Sequence, residues 1–255
     1  MNTPNKTVII AGITGAMGQQ AAELIGTLPD FTLVGGFAPH ATPQAKPNLL
    51  ITNKIEELPP ADIWIDFTVP SVVFKNIRYA ISHGYHPVVG TTGLTAQEVL
   101  ELQEMALHDH RGGLIAPNFG LSAVLLMKFA KEAAQYFPDV EIIEMHHPGK
   151  KDAPSGTAIA TANAINANRD LSSPSNSTET IAGVRGGQVN GIPIHSVRLP
   201  GYVAHEQVLF GAPGEALTIR QDSFDRKSFM AGVKLACQKV TTLQSLVVGL
   251  ENILD

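Results

Sequence analysis

Thr7-Val-Ile-Ile-Ala11 is an apolar run with no polar alternation, and four more such runs recur in the first half of the chain: Phe31–Val34, Asp62–Phe67, His86–Gly90 and Gly113–Ala116. A strand that reads as continuously apolar must be covered on both faces, which is the condition of a parallel sheet sandwiched by helices. The segments between the runs supply the helices. Pro70 sits at a first-turn position, Gly84 follows the last turn, and Val73, Ile77, Ala80 and Ile81 share one face. Thr95-Ala-Gln-Glu98 has the capping-box spacing, followed by Val99, Leu102 and Met105 at helical intervals. This alternation predicts a doubly wound α/β sheet.

Beyond Asn118 the pattern changes. A helix is expected from about Leu121 to Tyr136, a strand over Val140–Met145, and a helix over Thr157–Ile165. The segment NRDLSSPSNSTETIAGVRGG, rich in Ser, Thr, Asn and Gly, reads as an exposed loop or lid. Strand-like segments follow at Ile192–Leu199, Val203–Phe210 and Ala216–Gln221, separated by short Pro/Gly turns. They predict a second, α+β domain with a mixed or antiparallel sheet. A final helix is expected near Lys227–Val240. The expected domains are 1–117 with 228–255, binding a dinucleotide, and 118–227, binding substrate.

Composition narrows the function. The 255 residues are 44% hydrophobic and 16% charged with a net charge of −5, which suits a compact soluble protein rather than a disordered one and gives no electrostatic reason to expect nucleic acid or an anionic membrane. The single cysteine, Cys237, lies in an apolar pattern and reads as a buried structural thiol. The N-terminal MNTPNKTVIIAG lacks a signal-like apolar region, and no run reaches the ~18 apolar residues of a membrane span. The expectation is a cytoplasmic protein.

Gly12, Gly15 and Gly18 stand between the first strand and a helix, in a spacing one position off the usual dinucleotide fingerprint. Glycines permit the tight turn, and N–H groups at the helix start face a pyrophosphate. Gln19 after Gly18 excludes a Walker A loop. Where an acid would hold the adenosine ribose, the chain has Gly36-Phe-Ala-Pro-His40, so neither NADH nor NADPH is selected; His40 and Lys46 are the basic groups nearby. Gly90, Thr91 and Thr92 follow a later strand and belong to the same crevice.

EMHHPGKKDAPSGTA, residues 144–158, packs two histidines, two lysines, an aspartate and a Ser-Gly-Thr turn between a strand and a helix start. His146 and His147 would point to opposite faces of a continuing strand, and no Cys cluster or H-E-x-x-H spacing accompanies them, so no metal is expected. Ser155 or Thr157 can cap the following helix, whose free N–H groups attract a carboxylate or phosphate. A lysine and a histidine beside that helix start add positive charge and a proton source near neutral pH. With a nicotinamide site, these features imply reduction of a polarised double bond in an anionic substrate.

The block resembles the signature of the bacterial 4-hydroxy-tetrahydrodipicolinate reductase (dihydrodipicolinate reductase) family, of the lysine and diaminopimelate pathway. The similarity extends to Gly12–Gly18, Asp66-Phe-Thr68, Gly90–Thr92, Ala116-Pro-Asn-Phe119, His195-Ser-Val-Arg198 and HEQVLFG at 205–211. The resemblance implies a Rossmann-like N-terminal domain completed by the C-terminal helix, and a middle domain that binds a cyclic dicarboxylate and builds a homotetramer. It makes His146 the proton donor/acceptor and Lys150 the proton donor. It gives His147, Ser155, Gly156 and Thr157 to the substrate. Gly12, Ile13, Thr14, Gly15, Ala16, Met17, Gly90, Thr91, Thr92, Ala116, Pro117, Asn118 and Phe119 go to the cofactor. Ala16 and Ala38 replace residues that are commonly basic and acidic in the family, and dual use of NADH and NADPH is expected. The implied reaction is loss of water to a conjugated imine, hydride delivery to C4, and protonation by His146 or Lys150. Closure about hinges near Asn118 and Phe224 would exclude water. The rival readings are a dehydrogenase of an amino-acid semialdehyde and a non-catalytic NAD(P)-sensing regulator.

Overall fold

The computed structural model describes residues 5–46, 48–170 and 177–254. The chain divides into two compact units, one made of the residues up to Phe119 with those from Phe229 onward, the other Gly120–Ser228.

In the first unit the strands are β1 (Lys6–Ala11), β2 (Phe31–Phe37), β3 (Gln44–Lys46), β4 (Leu49–Thr52), β5 (Ile63–Asp66), β6 (His86–Val89), β7 (Gly113–Ile115) and, after the second unit, β13 (Leu246–Val248). Among the described residues they form one sheet in the order β13-β7-β6-β5-β1-β2-β4-β3, parallel except for β3. Helices α1 (Ala16–Thr27), α2 (Pro70–Ser82), α3 (Ala96–His108) and α6 (Met230–Lys239) complete it. The order reverses direction at β1, with β2 on one side and β5 on the other, so the carboxyl ends of β1 and β5 flank the switch point where such sheets bind ligands. Doubly wound α/β architecture is therefore what the apolar runs form.

The packing shows why. Ile9, Trp64, Val73, Ile77, Ala80, Val89 and Leu102 are fully buried in one cluster, and Val99 and Met105 lie partly buried against it. Thr95 closes both halves of its capping box with Glu98. β2 runs three residues past the expected Val34 because Gly35 and Gly36 let Ile9, Leu58 and Ile13 pack where side chains would stand. Short strands β3, β4 and β13 were not expected; each has only three or four residues. Cys237 is buried, which pushes its thiol up to about 12 and leaves it inert.

The second unit contains α4 (Leu121–Ala133), β8 (Asp139–His146), α5 (Gly156–Asn166), β9 (Gly187–Val189), β10 (Ile192–Arg198), β11 (Ala204–Ala212) and β12 (Glu215–Ser223). Its sheet has the order β12-β11-β8-β10-β9. β8 and β10 are parallel and the other neighbours antiparallel, so the sheet is mixed. α4 stops at Ala133, short of the expected Tyr136, and the final helix begins at Met230 after a 3-10 turn over Arg226–Phe229. Part of the serine-rich segment, residues 171–176, lies outside the described residues. In the described remainder, Glu179 accepts from the backbone N–H groups of Gly183 and Arg185.

One face of this sheet packs under α4 and α5 through Val140, Ile142, Ile194, Val208 and Phe210. Register carries that face onward from apolar to polar. Ile194, Ile142, Val208 and Ile219 form one row; Ser196, Glu144, Glu206 and Gln221 form the next; Arg198, His146, Ala204 and Ser223 form the last. Side chains two residues apart on a strand share a face, so the polar rows are continuous with the core. No helix of the described residues is long and apolar enough to cross a membrane.

Candidate active site

The glycine turn is set by close approach. Gly12 has φ +81°, and a Cβ there would collide with the carbonyl of Phe67; a Cβ on Gly18 would collide with the carbonyl of Gly12. Gly15 is the N-cap of α1, and Ala16 and Met17 begin the helix, where the first N–H groups have no intrahelical acceptor. Thr14, Gly15 and Ala16 are exposed while Ile13 is buried against Gly36, so Ile13 offers a ligand only its backbone. The open backbone at a helix start, with side chains kept away, fits a pyrophosphate.

Two more loops leave the same end of the sheet. Gly90–Thr92 follows β6, and Ala116–Phe119 follows β7. Asp66 at the end of β5, a fully buried carboxylate, ties the first of them to the turn that follows β5. It accepts from the Thr68 N–H (3.1 Å) and hydroxyl (2.6 Å), the Thr91 hydroxyl (2.8 Å), the Asn76 amide (3.1 Å) and the Trp64 indole (3.2 Å). A buried carboxylate is stable only when so satisfied. Thr91 spends its hydroxyl on Asp66, whereas Thr92 and Pro117 are exposed and Phe119 is buried edge-on to Phe67. Ala38 is buried, and His40 is exposed just beyond it.

In the second unit β8 ends at His146, and the chain turns through His147–Lys150 into the start of α5. Glu144, two residues before His146 and on the same face, is fully buried. Its Oε2 lies 2.6 Å from His146 Nδ1 and accepts from Arg198 Nη1 at 2.8 Å; its Oε1 accepts from Arg198 Nη2 at 2.8 Å and from the Ser155 N–H at 3.2 Å. Arg198 also donates to the Asp152 carbonyl, so one guanidinium fastens the carboxylate and the loop together. Burial pushes the Glu144 carboxyl upward, but the bonds from Arg198, Ser196 and His146 outweigh it and hold it below the ordinary carboxylate range. An ionised Glu144 only accepts, so the Nδ1 of His146 carries a proton and Nε2 of the neutral ring carries the lone pair. Burial, with Lys150 and Arg198 nearby, lowers the proton affinity of His146 against the raising influence of Glu144.

Lys150 Nζ donates to Asp152 at 2.9 Å. His147 is exposed. Ser155 is the N-cap of α5, accepting from the Ala158 N–H; its hydroxyl is buried and committed to the helix. Gly156 and Thr157 follow as the first helical residues, with N–H groups available to an anion. The structure thus gathers His146, Lys150 and the start of α5 around Glu144. The sequence motifs assign no role to Glu144, Asp66 or Arg198. Among the described residues no group of three or more His, Cys, Asp or Glu could hold a metal.

Comparison with known proteins now decides the family. The model for the N-terminus of dihydrodipicolinate reductase matches residues 6–119, and that for its C-terminus matches 122–254. The chain belongs to the dihydrodipicolinate reductase family. The resemblance drawn from the sequence motifs therefore holds along the whole chain. The 4-hydroxy-tetrahydrodipicolinate reductase of Lactobacillus acidophilus is 61% identical over 258 residues, covering 98% of each chain. That of Limosilactobacillus fermentum is 60% identical, covering 97% of this chain and 99% of the relative. The solved dipicolinate-bound dihydrodipicolinate reductase of Paenisporosarcina sp. TG-14 superposes with a TM-score of 0.93 at 41% identity, covering 98% of this chain and 99% of that one. Membership in this reductase family makes the chain an oxidoreductase and residues 6–119 a nucleotide-binding Rossmann domain.

Proposed function

We propose that this reductase converts 4-hydroxy-tetrahydrodipicolinate to tetrahydrodipicolinate in lysine and diaminopimelate biosynthesis, with His146 and Lys150 supplying the proton. The observation that carries the reading is the Glu144–His146 bond beside the anion-ready start of α5. The first unit is the dinucleotide-binding domain, and the second binds substrate and builds the oligomer, a homotetramer. Gly12–Met17, Gly90–Thr92 and Ala116–Phe119 hold the nucleotide, several of them through backbone only. A nicotinamide dinucleotide bound there would supply hydride to C4 once the substrate has lost its 4-hydroxyl as water to give the conjugated imine.

The chain's own residues do the rest. The N–H groups of Gly156 and Thr157, with His147, hold the substrate carboxylates and orient the ring. Glu144 fixes the His146 ring so that Nε2 faces the substrate. The Lys150 ammonium lies close enough to lower the proton affinity of His146. A dianionic substrate opposes that lowering and draws a proton onto Nε2.

His146→Ala and Lys150→Ala should each lower turnover by roughly 10²–10⁴-fold, the range of a lost general acid. The assay makes the upstream condensation product in situ and follows NAD(P)H absorbance. Near-normal turnover in both variants would remove the pair from the mechanism. Ala38 and the exposed His40 select neither a ribose hydroxyl pair nor a 2′-phosphate strongly. Dual use of NADH and NADPH follows, and a several-hundredfold preference in kcat/KM would refute it.

A further inference from the structure

Asp66 carries a buried charge that the proposed reaction leaves unused. Five donors converge on its two oxygens: the Thr68 N–H with the Thr68 and Thr91 hydroxyls on Oδ1, and the Asn76 amide with the Trp64 indole on Oδ2. The indole, the amide nitrogen and the backbone N–H can only donate, and the ionised carboxylate is the form that only accepts. All five donors are neutral. Glu144, equally buried, holds the Arg198 guanidinium on both of its oxygens. Asp66, at 0% exposure, has dipoles alone to balance its charge.

Tethering Thr91 does not require that charge, because a hydroxyl proton needs only an acceptor. What a carboxylate adds over a neutral acceptor is a field, and burial lets the field reach further than it would in water. The fold says what lies in its path. β5 sits on the side of β1 away from β2. In a doubly wound sheet the adenosine half of a dinucleotide belongs to the β2 side of the switch point, and the nicotinamide half to the other. Asp66 ends β5, and its backbone carbonyl accepts from the N–H groups of both Gly90 (2.9 Å) and Thr91 (3.2 Å). The loop assigned to the nucleotide thus rests directly on this residue.

We propose that Asp66 is a positioning residue whose fixed negative charge, on the nicotinamide side of the switch point, favours the oxidised cofactor over the reduced one and so favours the release of hydride. The dihydronicotinamide ring is neutral. Once it has passed a hydride, one proton with two electrons, to the substrate, it carries one positive charge. A charge already in place stabilises that change without reorganisation at the moment of reaction. The inference rests on the reading of the first unit's crevice as the nicotinamide's seat, and its test separates the two.

That test compares binding rather than turnover. NADH is titrated by its fluorescence in the full-length protein, and NAD+ and ADP-ribose by displacing it. Asp66→Asn removes the charge but turns an amide toward Asn76; Asp66→Asn with Asn76→Ala removes both the charge and the facing amide. In each, the ratio of the NAD+ Kd to the NADH Kd should rise roughly three- to tenfold over wild type, the scale of one unit charge acting through a partly polar interior. Asp66→Asn with Asn76→Asp returns a carboxylate one side chain away and should bring the ratio back to within about twofold of wild type. Thr91→Val cuts the tether and keeps the charge, so it should weaken both forms alike.

A ratio within about twofold of wild type in the folded uncharged variants would overturn the proposal. Loss of NAD+, NADH and ADP-ribose together would do the same, since Asp66 would then serve the structure only. Should the uncharged variants fail to fold, Thr91→Val still decides: a threefold or larger rise in the ratio there would assign the effect to the tether. Wild-type protein that binds no NADH, or binds it without competition from ADP-ribose, would instead refute the nucleotide reading on which the proposal stands.

Discussion

The turn after β1 is shaped by missing side chains: Gly12 and Gly18 allow backbone to lie on backbone, and no charged group takes part. The turn after β8 is shaped by buried charge, with Glu144 gripping Arg198, His146 and the Ser155 N–H at once. Both lead directly into the start of a helix, α1 in one case and α5 in the other. The first does so by steric exclusion, which does not titrate. The second does so with ionisable groups, which lets it exchange protons and makes it sensitive to pH. Under the proposed function, a nucleotide that must only be held is matched to the first device, and a substrate that must be protonated to the second.

Breaking the charged device should have the largest effect. Arg198→Met takes the guanidinium from the buried Glu144 and leaves only His146 and the Ser155 N–H on it, and urea unfolding should show a loss of about 3–5 kcal/mol. The same variant should release the Asp152 loop and impair turnover, while NADH binding persists. Next is Glu206. Its folded-state value of about 7 lies above the ordinary 4.5, so its protonated form favours the fold. That contribution is complete below about pH 4.5 and is lost as pH rises to about 7. Glu206→Gln should therefore gain stability over the wild type across that interval, by up to about 3 kcal/mol, and then level off. A flat difference in Tm across the interval would place the proton elsewhere.

The steric device predicts a smaller loss of stability with a sharper functional effect. Gly12→Ala puts a Cβ at positive φ against the Phe67 carbonyl, at a cost of about 1–3 kcal/mol. Fluorescence titration should show NADH binding lost while pyridine-2,6-dicarboxylate still binds. The smallest effect compares two helix caps. Ser155→Ala removes a buried cap attached to the Glu144 network, and Thr95→Ala an exposed capping box. The first should cost about 1–2 kcal/mol and the second about 1 kcal/mol or less in Tm-derived stability. Equal costs would mean that the network adds nothing to the cap.

Legibility followed the same division. Buried parallel strands announce themselves as unbroken apolar runs, so β1, β5, β6 and β7 could be read directly, as could the glycine turn and the cap at Thr95. Strands β3, β4 and β13 have too few residues for any period to show. Glu144 had a local signal, since two-residue spacing in a strand puts it on the face of His146. Asp66 had another, a carboxylate inside the apolar Ile63–Asp66 strand that only local hydrogen bonds could tolerate. Arg198 had none, because its place beside Glu144 depends on the parallel register of β8 and β10, which no local pattern encodes.

The position of β13 has a bearing on biosynthesis. Leu246–Val248 completes the first sheet by pairing with β7, although more than a hundred residues separate the two in sequence. As the ribosome releases the chain, every strand of the second unit emerges before that edge can be filled. The inserted unit can thus mature early, while its host waits for Leu246–Val248 to leave the exit tunnel with one flank of β7 still bare.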